Sequence, residues 1–592
     1  MILGRTDESE RRGGRTNLRL RPTRSYTTLR DVTRTKGGEL VRYLQLAHNE
    51  RNERGVPVAR VIHNFGREDK LDREALRRLV GSIQRFLGSE ETLRAQAPEG
   101  FRFLGAPEAG GPHVLDALWS QLGIGKAIAR VTGRGRGRAG VERAIFAMVC
   151  QRCLEPASKL EATRWLGRDV VIDGIEGVSD DELYRAMDFL LDCSERVQES
   201  VFFSLANLLN LEVDVIFFDT TSTYFEIDVD EDTLDEEEPA GRPLRRLGRS
   251  KDHRPDLPQV VIGLAVTREG IPVRVWVWPG NRNDQTLVEQ VKRDLAGWRL
   301  GRAIYVVDSG FSGRDNLRHL RSGGGHYIAG VKLRSGMPET EQALSRQGRY
   351  RQVRDNLRVK EVRVGDGDAA VRYVVCHNPA EAERDRTKRQ QRIERIEAEL
   401  ARLDAQRQRA KTKTEREQHL RGECALRDHP TLSRYLHQTT SGRLSLDRAR
   451  IAAEERLDGK YLLTTSDPSL SAEDVALGYK QLQEAERSFR DLKGTLLLRP
   501  VFHRKDERIR AHVLICFLAL VLVRLAETRS GETWRTIRAE LGQIRQGHFR
   551  SSEGDFTQTN ELSRRQRDLH AALAVPEPPR FGRITPAATQ PA

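Results

Sequence analysis

The chain has few cysteines for its length and no apolar run long enough to cross a bilayer. Six cysteines in 592 residues do not make the disulfide framework of a small secreted protein. The most apolar run, Val513–Val523, is too short for a membrane span and predicts a buried helix. The first residues lack the apolar segment of a secretory signal. We therefore expect a reducing cytoplasm as the compartment and no membrane partner.

Two common cofactor patterns are also missing. The glycine run Gly323–Gly325 lacks the pattern GxxxxGKS or GxxxxGKT of a phosphate-binding loop, so we expect no nucleotide cofactor. Cys150 and Cys153 have the spacing of zinc ligands, but no second pair accompanies them, and we interpret them as core cysteines. The acidic run Asp228–Glu238 has no strand or helix periodicity, which indicates a solvated loop rather than a metal site.

Basic residues outnumber acidic ones in the chain. Lys and Arg number 100 against 86 Asp and Glu, which gives a formal net charge of +14. A balance of this size favours a polyanionic partner, most simply nucleic acid. Many basic surfaces are only solvated, so the charge becomes informative only beside a motif for nucleic-acid chemistry.

The hydrophobic pattern predicts an α/β chain in seven segments. From Leu211 onward the order β-β-β-α-β-α-β predicts a mixed sheet with helices packed on it. The helical segment before it suits binding of DNA ends, but a purely structural helical bundle fits the same pattern. The predicted segments are a disordered basic tail (1–25), a DNA-binding β-hairpin and helix region (26–110), a helical module (111–210), the first part of the core (211–333), an insertion (334–455), the second part of the core (456–530) and a C-terminal tail (531–592).

The insertion and the C-terminal tail have patterns of their own. A very polar helix is predicted over 380–419, after two strand-like stretches. It carries apolar residues at coiled-coil spacing, which fit either a coiled-coil seam or a helix packed on its own domain. The Pro-rich end, 576–592, is predicted to be disordered. The seam residues are Ile393, Ile396, Leu400 and Leu403.

Two aspartates are predicted to end apolar strands. Asp219 follows the run VIFF and precedes Thr220, while Asp308 follows IYVV and precedes the small-residue loop SGFSG. Acids at the ends of neighbouring strands point into one crevice. A single aspartate at a strand end is common, because Asp favours turns. Two of them flanked by small residues indicate a site.

A third carboxylate lies in the predicted amphipathic helix Tyr479–Lys493. Glu486 borders the apolar stripe of this helix rather than pointing away from it. Lys493 lies about two turns further on, near the same face, where a cation could hold a phosphate. We therefore predict that Asp219, Asp308 and Glu486 meet to hold two divalent metals. The apolar stripe consists of Leu482, Ala485, Phe489 and Leu492.

These residues carry a resemblance to a known family. The spacing Y-x2-R-x3-E-x6-K is matched by Tyr479, Glu486 and Lys493, with Leu482 at the Arg position. With this signature, the chain resembles the bacterial insertion-sequence DDE transposases of the YREK group. The match covers most of 211–525 and is weaker over 26–160. Further matching blocks are FFDTTSTYFE (217–226), GRSKDHRPDLPQVVIGLAV (248–266), PGNRNDQTL (279–287), VVDSGFSG (306–313) and the block 492–522.

The resemblance implies an RNase H-like core in which Asp219, Asp308 and Glu486 form the DDE triad. It also implies Mg²⁺ as cofactor, for which Mn²⁺ can substitute, and an inserted domain between the second Asp and the Glu. The implied activity is cleavage at the ends of an insertion sequence and joining of the freed 3′-OH to target DNA. The implied partners are terminal inverted repeats, target DNA and a second copy in a synaptic homodimer, on the nucleoid of a bacterial cytoplasm.

Six residues are predicted to contact DNA. Tyr479 and Lys493 belong to the signature, and Arg499 lies in the matching block that follows it. Lys251, His253 and Arg254 precede a core strand, where they can contact a phosphate or form an exposed basic loop. Besides a transposase, the sequence leaves open a metal-dependent nuclease that cuts without joining, and a non-catalytic repressor derived from an element. It does not give the excision route.

Overall fold

The computed structural model describes two compact units, Met1–Phe101 and Arg102–Ala592. The predicted basic tail 1–25 and the acidic run Asp228–Glu238 lie outside the described residues. The described residues are 26–36, 39–51, 57–87, 102–132, 139–226, 244–300, 302–333, 337–367, 370–551 and 554–586.

The first unit is a three-stranded antiparallel sheet followed by a helix. The predicted hairpin corresponds to the second and third strands, and the first strand pairs with the other side of the second. The helix predicted for this region is confirmed, and its apolar residues Leu79, Val80, Ile83 and Phe86 are exposed. The elements are β1 (Tyr26–Lys36), β2 (Glu39–Arg51), β3 (Pro57–Arg67) and α1 (Arg73–Leu87).

The second unit begins with a short strand and a group of helices, as the helical pattern predicts. Apolar side chains face inward around Met148, and Cys150 and Cys153 are buried among them as core cysteines. Ser179 caps its helix in a capping box with Glu182, which satisfies backbone donors at the helix start. The elements are β4 (Arg102–Gly105), α2 (Gly110–Gln121), α3 (Ile124–Thr132), α4 (Ala139–Leu154), α5 (Lys159–Arg168), α6 (Asp180–Asp192) and α7 (Ser194–Leu208).

A nine-stranded mixed sheet forms the centre of the second unit. Its first five strands in sequence follow the predicted order β-β-β-α-β-α-β, with three antiparallel strands followed by two parallel ones. Their order across the sheet is β7-β6-β5-β8-β9. These elements are β5 (Val215–Tyr224), β6 (Gln259–Thr267), β7 (Pro272–Pro279), α8 (Val288–Gly297), β8 (Ile304–Val307), α9 (Arg314–Arg321) and β9 (His326–Val331).

The predicted insertion contributes strands to this same sheet. Its three strands extend the sheet beyond β9 through a strand of the second core part, in the order β10-β11-β12-β15-β9. The predicted boundary at 333/334 is therefore not an edge of the sheet, because apolar residues of β12 such as Val374 are buried with Leu463 in one core. The elements are α10 (Pro338–Ser345), β10 (Arg351–Arg354), β11 (Leu357–Val364), β12 (Val371–His377) and β15 (Lys460–Thr465).

The long polar helix of the insertion packs within its own chain. Of the predicted seam, Ile396 and Leu403 are buried against Leu426 and Tyr435 of the following segments. This supports the second interpretation of the seam, a helix packed on its own domain. The elements are α11 (Pro379–Arg409), α12 (Lys413–Arg427), β13 (Leu436–Gln438), β14 (Leu444–Leu446) and α13 (Arg448–Glu455).

The signature segment is split into two helices, which corrects the prediction of one continuous helix. The first is α14 (Ala472–Lys480) and the second is α15 (Gln483–Gly494). The amides of Gln481 and Leu482 bond back only three residues, to Gly478 and Tyr479, and this tightening ends α14. Tyr479 and Glu486 therefore lie on different helices.

The buried helix predicted around Val513–Val523 is confirmed as α16 (Asp506–Ser530). It is long and apolar enough to cross a membrane, but 94% of its apolar window is buried inside the protein, as in a core helix. The guanidinium of Arg524 on α16 lies 2.6 Å from Asp491 and 2.6 Å from Glu527. Through this contact Asp491 fastens α15 to the core helix.

The prediction of a C-terminal tail is wrong for most of 531–592. The described part forms two helices and three strands. The three strands and β4, the first strand of the unit, form an antiparallel sheet of order β18-β17-β16-β4. Trp534 is buried and donates its indole N–H to the carbonyl oxygen of Cys153 at 2.9 Å. Proline does not prevent an edge strand, so the Pro-rich end still pairs. The elements are α17 (Trp534–Leu541), β16 (Gln546–Ser551), β17 (Gly554–Thr559), α18 (Arg564–Leu573) and β18 (Phe581–Pro586).

Candidate active site

Asp219 and Asp308 lie side by side at the centre of the large sheet. The parallel register pairs Phe218 of β5 with Val307 of β8, so the next residue on each strand is one of the two aspartates. Asp219 does not end its strand as predicted, because β5 continues to Tyr224 along β6. It lies instead where the pairing with β8 ends, which is what brings the two carboxylates together.

One oxygen of each carboxylate accepts a hydrogen bond from a backbone amide close by in the sequence. Asp219 Oδ1 accepts the backbone N–H of Thr220 at 2.7 Å, and Asp308 Oδ1 accepts that of Gly310 at 3.2 Å. Within the described part of the chain, the second oxygen of either side chain makes no hydrogen bond. Burial raises the pKa of Asp219 to about 6, against the lowering effect of the Lys251 ammonium. The two aspartates thus keep oxygens that can bind a further group.

A polar cavity of about 830 Å³ opens beside Asp308. Asp284 and Asp308 lie on its wall, and the small residues Ser309 and Gly310 leave space next to them. The cavity wall also carries five basic side chains, which favours a negatively charged ligand such as a phosphate chain. They are Arg249, Lys251, His253, Arg282 and Lys332.

Glu486 lies in the first turn of α15, a helix that contacts β5 and β6. Its neighbours Ala485 and Phe489 are buried, while Glu486 itself is exposed. It makes no hydrogen bond or ion pair through its carboxylate with any residue that the structure describes. Its oxygens are therefore accessible, as a ligand contributed from outside the sheet must be.

The negative charges of all three acids act on the phenol of Tyr479. Burial raises the pKa of its phenol, and the charges of Asp308, Asp219 and Glu486 add to the effect in that order. The ring stacks on Tyr461 with centroids 5.9 Å apart. The Tyr479 hydroxyl therefore lies in the combined field of the predicted triad, on the helix that precedes Glu486.

The three acids do not form a closed set of metal ligands in this structure. Among the described residues, no group of three or more His, Cys, Asp or Glu side chains is arranged to hold a metal ion. The donor chemistry nevertheless fits Mg²⁺, which prefers hard oxygen ligands and keeps several of its waters. Asp219 and Asp308 are the pair that the fold brings together, and Glu486 lies exposed on α15, outside that pair.

Gly330 of β9 is needed for the position of Tyr479. A Cβ atom at this residue would lie 2.5 Å from the Tyr479 hydroxyl oxygen and 3.1 Å from the backbone nitrogen of Ser309. We expect Gly330→Ala to displace the phenol and the loop after Asp308, and to slow DNA cleavage on the order of tenfold. Rates measured on one end-DNA substrate test this.

The matched variant is Tyr479→Phe in the Gly330→Ala background, which removes the clashing hydroxyl oxygen. It should recover cleavage relative to Gly330→Ala, up to the rate of Tyr479→Phe alone. If the double variant is as slow as Gly330→Ala, the close approach of the Tyr479 hydroxyl is not the reason for the glycine.

The predicted DNA-contacting cations are partly paired with acids of the chain. Lys493 Nζ and Arg499 Nη1 both lie 2.9 Å from the carboxylate of Asp252. Arg254 pairs with Asp256 at 2.8 Å. His253 lines the cavity in a left-handed backbone conformation, with φ of 59°. The guanidiniums of Arg254 and Arg499 lie 5.4 and 5.3 Å from the ring centroid of Tyr224.

The sequence analysis missed two residues of the site, Asp284 and Thr220. The Thr220 hydroxyl donates to Asp284 Oδ1 at 2.7 Å and accepts from Lys251 Nζ at 2.7 Å. Asp284 stands in the block PGNRNDQTL, which was used only for the family resemblance. The many polar residues of that block were the sequence feature that could have indicated a site there. The paired tryptophans Trp276 and Trp278 serve the sheet, where they are buried and stacked.

Two family profiles match the chain. The profile described as "Transposase DDE domain" matches residues 258–522, and "IS1634 family transposase, N-terminal domain" matches residues 29–96. The DDE domain is RNase H-like, so the predicted fold class is confirmed. Together the two matches span more than half of the 592 residues.

The comparison with solved structures adds a distant likeness. The chain resembles the protein in "Cryo-EM structure of piggyBac transposase synaptic complex with hairpin DNA (SNHP)" at 10% identity and a TM-score of 0.34. The alignment covers 73% of this chain and 79% of that one. Among curated proteins none matches the chain.

Proposed function

The chain belongs to the insertion-sequence DDE transposases, and from that premise we propose how its residues divide the reaction. It is a DNA transposase and acts on DNA. In our proposal, Asp219, Asp308 and Glu486 hold divalent metal, Mg²⁺ with Mn²⁺ able to substitute. The enzyme cuts the ends of its element and joins the freed 3′-OH to target DNA, acting as a homodimer at the bacterial nucleoid.

The observation that carries this proposal is the position of the Tyr479 phenol. Burial raises the pKa of this phenol, and the charges of Asp308, Asp219 and Glu486 raise it further. Acids from two neighbouring strands and one helix therefore act on a residue of a second helix. Two of these acids also come from adjacent parallel strands, and both keep an oxygen without a hydrogen bond to the described chain.

The chemistry of phosphodiester cleavage defines what each residue must do. Metal bound by these carboxylates would supply positive charge at the attacking and leaving oxygens. Asp219 and Asp308 face the DNA from a rigid sheet, so their oxygens cost little to orient. Glu486, which is exposed on α15, would supply the third carboxylate from outside the sheet. No covalent intermediate with the protein is required.

The paired cations beside the site are suited to phosphates. Lys493 and Arg499 place two positive charges around the single carboxylate of Asp252, so one positive charge is left uncompensated. In our proposal Asp252 fixes these two side chains, and their remaining donors bind the DNA backbone. Lys251 and His253 line the wall of the cavity. In our proposal they contact the backbone of the same DNA strand from there.

A strand-transfer assay separates the proposed transposase from a nuclease that only cuts. Purified protein is given end DNA that has already been cut to expose its 3′-OH, together with target plasmid and Mg²⁺. We expect joined products, and none when the terminal 3′-OH is replaced by a dideoxy end. Cleavage of uncut ends without any joining of the pre-cut DNA would contradict the joining step while leaving the metal site in place.

A further inference from the structure

Asp284, Thr220 and Lys251 form a closed ring of polar contacts beside Asp219. Thr220 donates its hydroxyl to Asp284 Oδ1, and the Lys251 ammonium donates to the carbonyl and hydroxyl oxygens of Thr220, each at 2.7 Å. The Lys251 nitrogen lies 3.4 Å from Asp284 Oδ2 and 3.9 Å from Asp219 Oδ1. The ammonium is therefore held on the side of Asp284, one half-ångström nearer to it than to Asp219 (3.4 against 3.9 Å).

The two loops that bring Lys251 and Asp284 together are fixed to each other. The backbone N–H of Lys251 donates to the Ser222 hydroxyl at 2.9 Å. Gly248 and Gly280 approach so closely that a Cβ atom on either would overlap a backbone carbonyl oxygen. The contact between the Lys251 ammonium and the Asp284 carboxylate is therefore built into the fold rather than made by two free side chains.

This ring has a consequence for Asp219. An ammonium against a carboxylate opposes the approach of a second cation, and the opposition is strong where burial keeps water away. We propose that Asp284 is a positioning residue that keeps the Lys251 ammonium off Asp219, so that Asp219 stays available to a divalent cation. The inference rests on the proposed function, because it takes Asp219 to be a metal ligand.

Removing the Asp284 charge should redirect the ammonium. In Asp284→Asn the amide oxygen can still accept a hydrogen bond from the Thr220 hydroxyl, but the uncharged side chain no longer attracts the Lys251 ammonium. The nearest remaining carboxylate is Asp219, which should then bind Mn²⁺ about tenfold more weakly. With Gln at 251 there is no ammonium to redirect, so Asp284→Asn should change Mn²⁺ affinity by less than about twofold in that background.

The experiment is a double-mutant cycle of Mn²⁺ affinity on the full chain without DNA. Free Mn²⁺ is followed by electron paramagnetic resonance during titration of wild type, Asp284→Asn, Lys251→Gln and the double variant. Asp256→Asn gives the same loss of charge on the Lys251 loop, and Arg282→Gln gives a matched loss of positive charge at the cavity wall. Circular dichroism and thermal unfolding confirm that each variant is folded.

Two outcomes would overturn the inference. In one, Asp284→Asn binds Mn²⁺ as wild type does, or no more weakly than Asp256→Asn. In the other, its loss persists in the Lys251→Gln background, which would make Asp284 a ligand itself or a general source of charge. Asp219→Asn separates this failure from that of the proposed function: if it binds Mn²⁺ like wild type, the metal site itself is misassigned and the inference falls with it.

Discussion

Replacing Asp308 by asparagine is expected to abolish cleavage of element-end DNA in Mg²⁺. The substitution keeps the size of the side chain and its ability to accept the Gly310 N–H, now 3.2 Å from Oδ1. It removes one negative charge at the point where β8 ends beside Asp219. Loss of a ligand that stabilises charge in phosphodiester displacement should lower the rate by about three orders of magnitude, or ~4 kcal/mol. Denaturing gels of a labelled end substrate measure it.

The control for Asp308→Asn is the same change at Asp214. This exposed acid lies just before β5 and pairs with Arg268 at 3.0 Å, outside the predicted site. We expect its variant to cleave within about twofold of wild type, since isolated surface pairs contribute little. Cleavage by a folded Asp308→Asn protein at the rate of the Asp214→Asn protein would show that the carboxylate takes no part in the reaction.

Replacing Asp219 by asparagine is expected to stabilise the metal-free protein. Burial raises the pKa of this carboxyl from 3.8 to about 6 in the folded chain. The folded state therefore holds a proton that the unfolded state releases, and stability falls as pH rises through this window. Above it the penalty is complete, at about 2–3 kcal/mol. The asparagine lacks the penalty, so at pH 8 in EDTA its thermal midpoint should rise by several degrees.

The sign of the pH dependence makes this prediction specific. At pH 5 about half of the penalty in wild type is relieved by protonation, so the advantage of Asp219→Asn should shrink to about half. Asp315→Asn is the exposed control, with 82% of its side chain accessible, and should show no such advantage. A gain for Asp219→Asn that is equal at both pH values, or absent at pH 8, would contradict the buried, charged state of this residue.

The sequence indicated the two aspartates because an apolar run that forms a buried strand is a local pattern. Asp219 and Asp308 each follow such a run, and parallel pairing then brings them together without further information. The same reasoning could not place Glu486. A turn at Leu482 separates its helix from the helix of Tyr479. Because of this break, the residue spacing no longer tells which side of the second helix faces the same way as Tyr479.

Residues whose role depends on contacts with distant parts of the chain were not predicted from the sequence. The role of Asp284 depends on Lys251, whose ammonium lies 3.4 Å from its carboxylate. The role of Asp252 depends on Lys493 and Arg499, which both lie 2.9 Å from its carboxylate. A C-terminal tail was predicted because the helical signal weakens after about Ser530 and the end of the chain is Pro-rich. Its strand β16 pairs with β4, hundreds of residues earlier in the chain, and no local pattern reports such a pairing.

Anomalous diffraction from crystals grown with Mn²⁺ and pre-cut end DNA tests the central claim most directly, because it locates the metal without reference to activity. We predict anomalous peaks about 2.1 Å from carboxylate oxygens of both Asp219 and Asp308, with Glu486 closing on the same metal. Peaks bound to other residues, or a Glu486 side chain that stays exposed and away from the metal in the DNA complex, would contradict the assignment of these three acids.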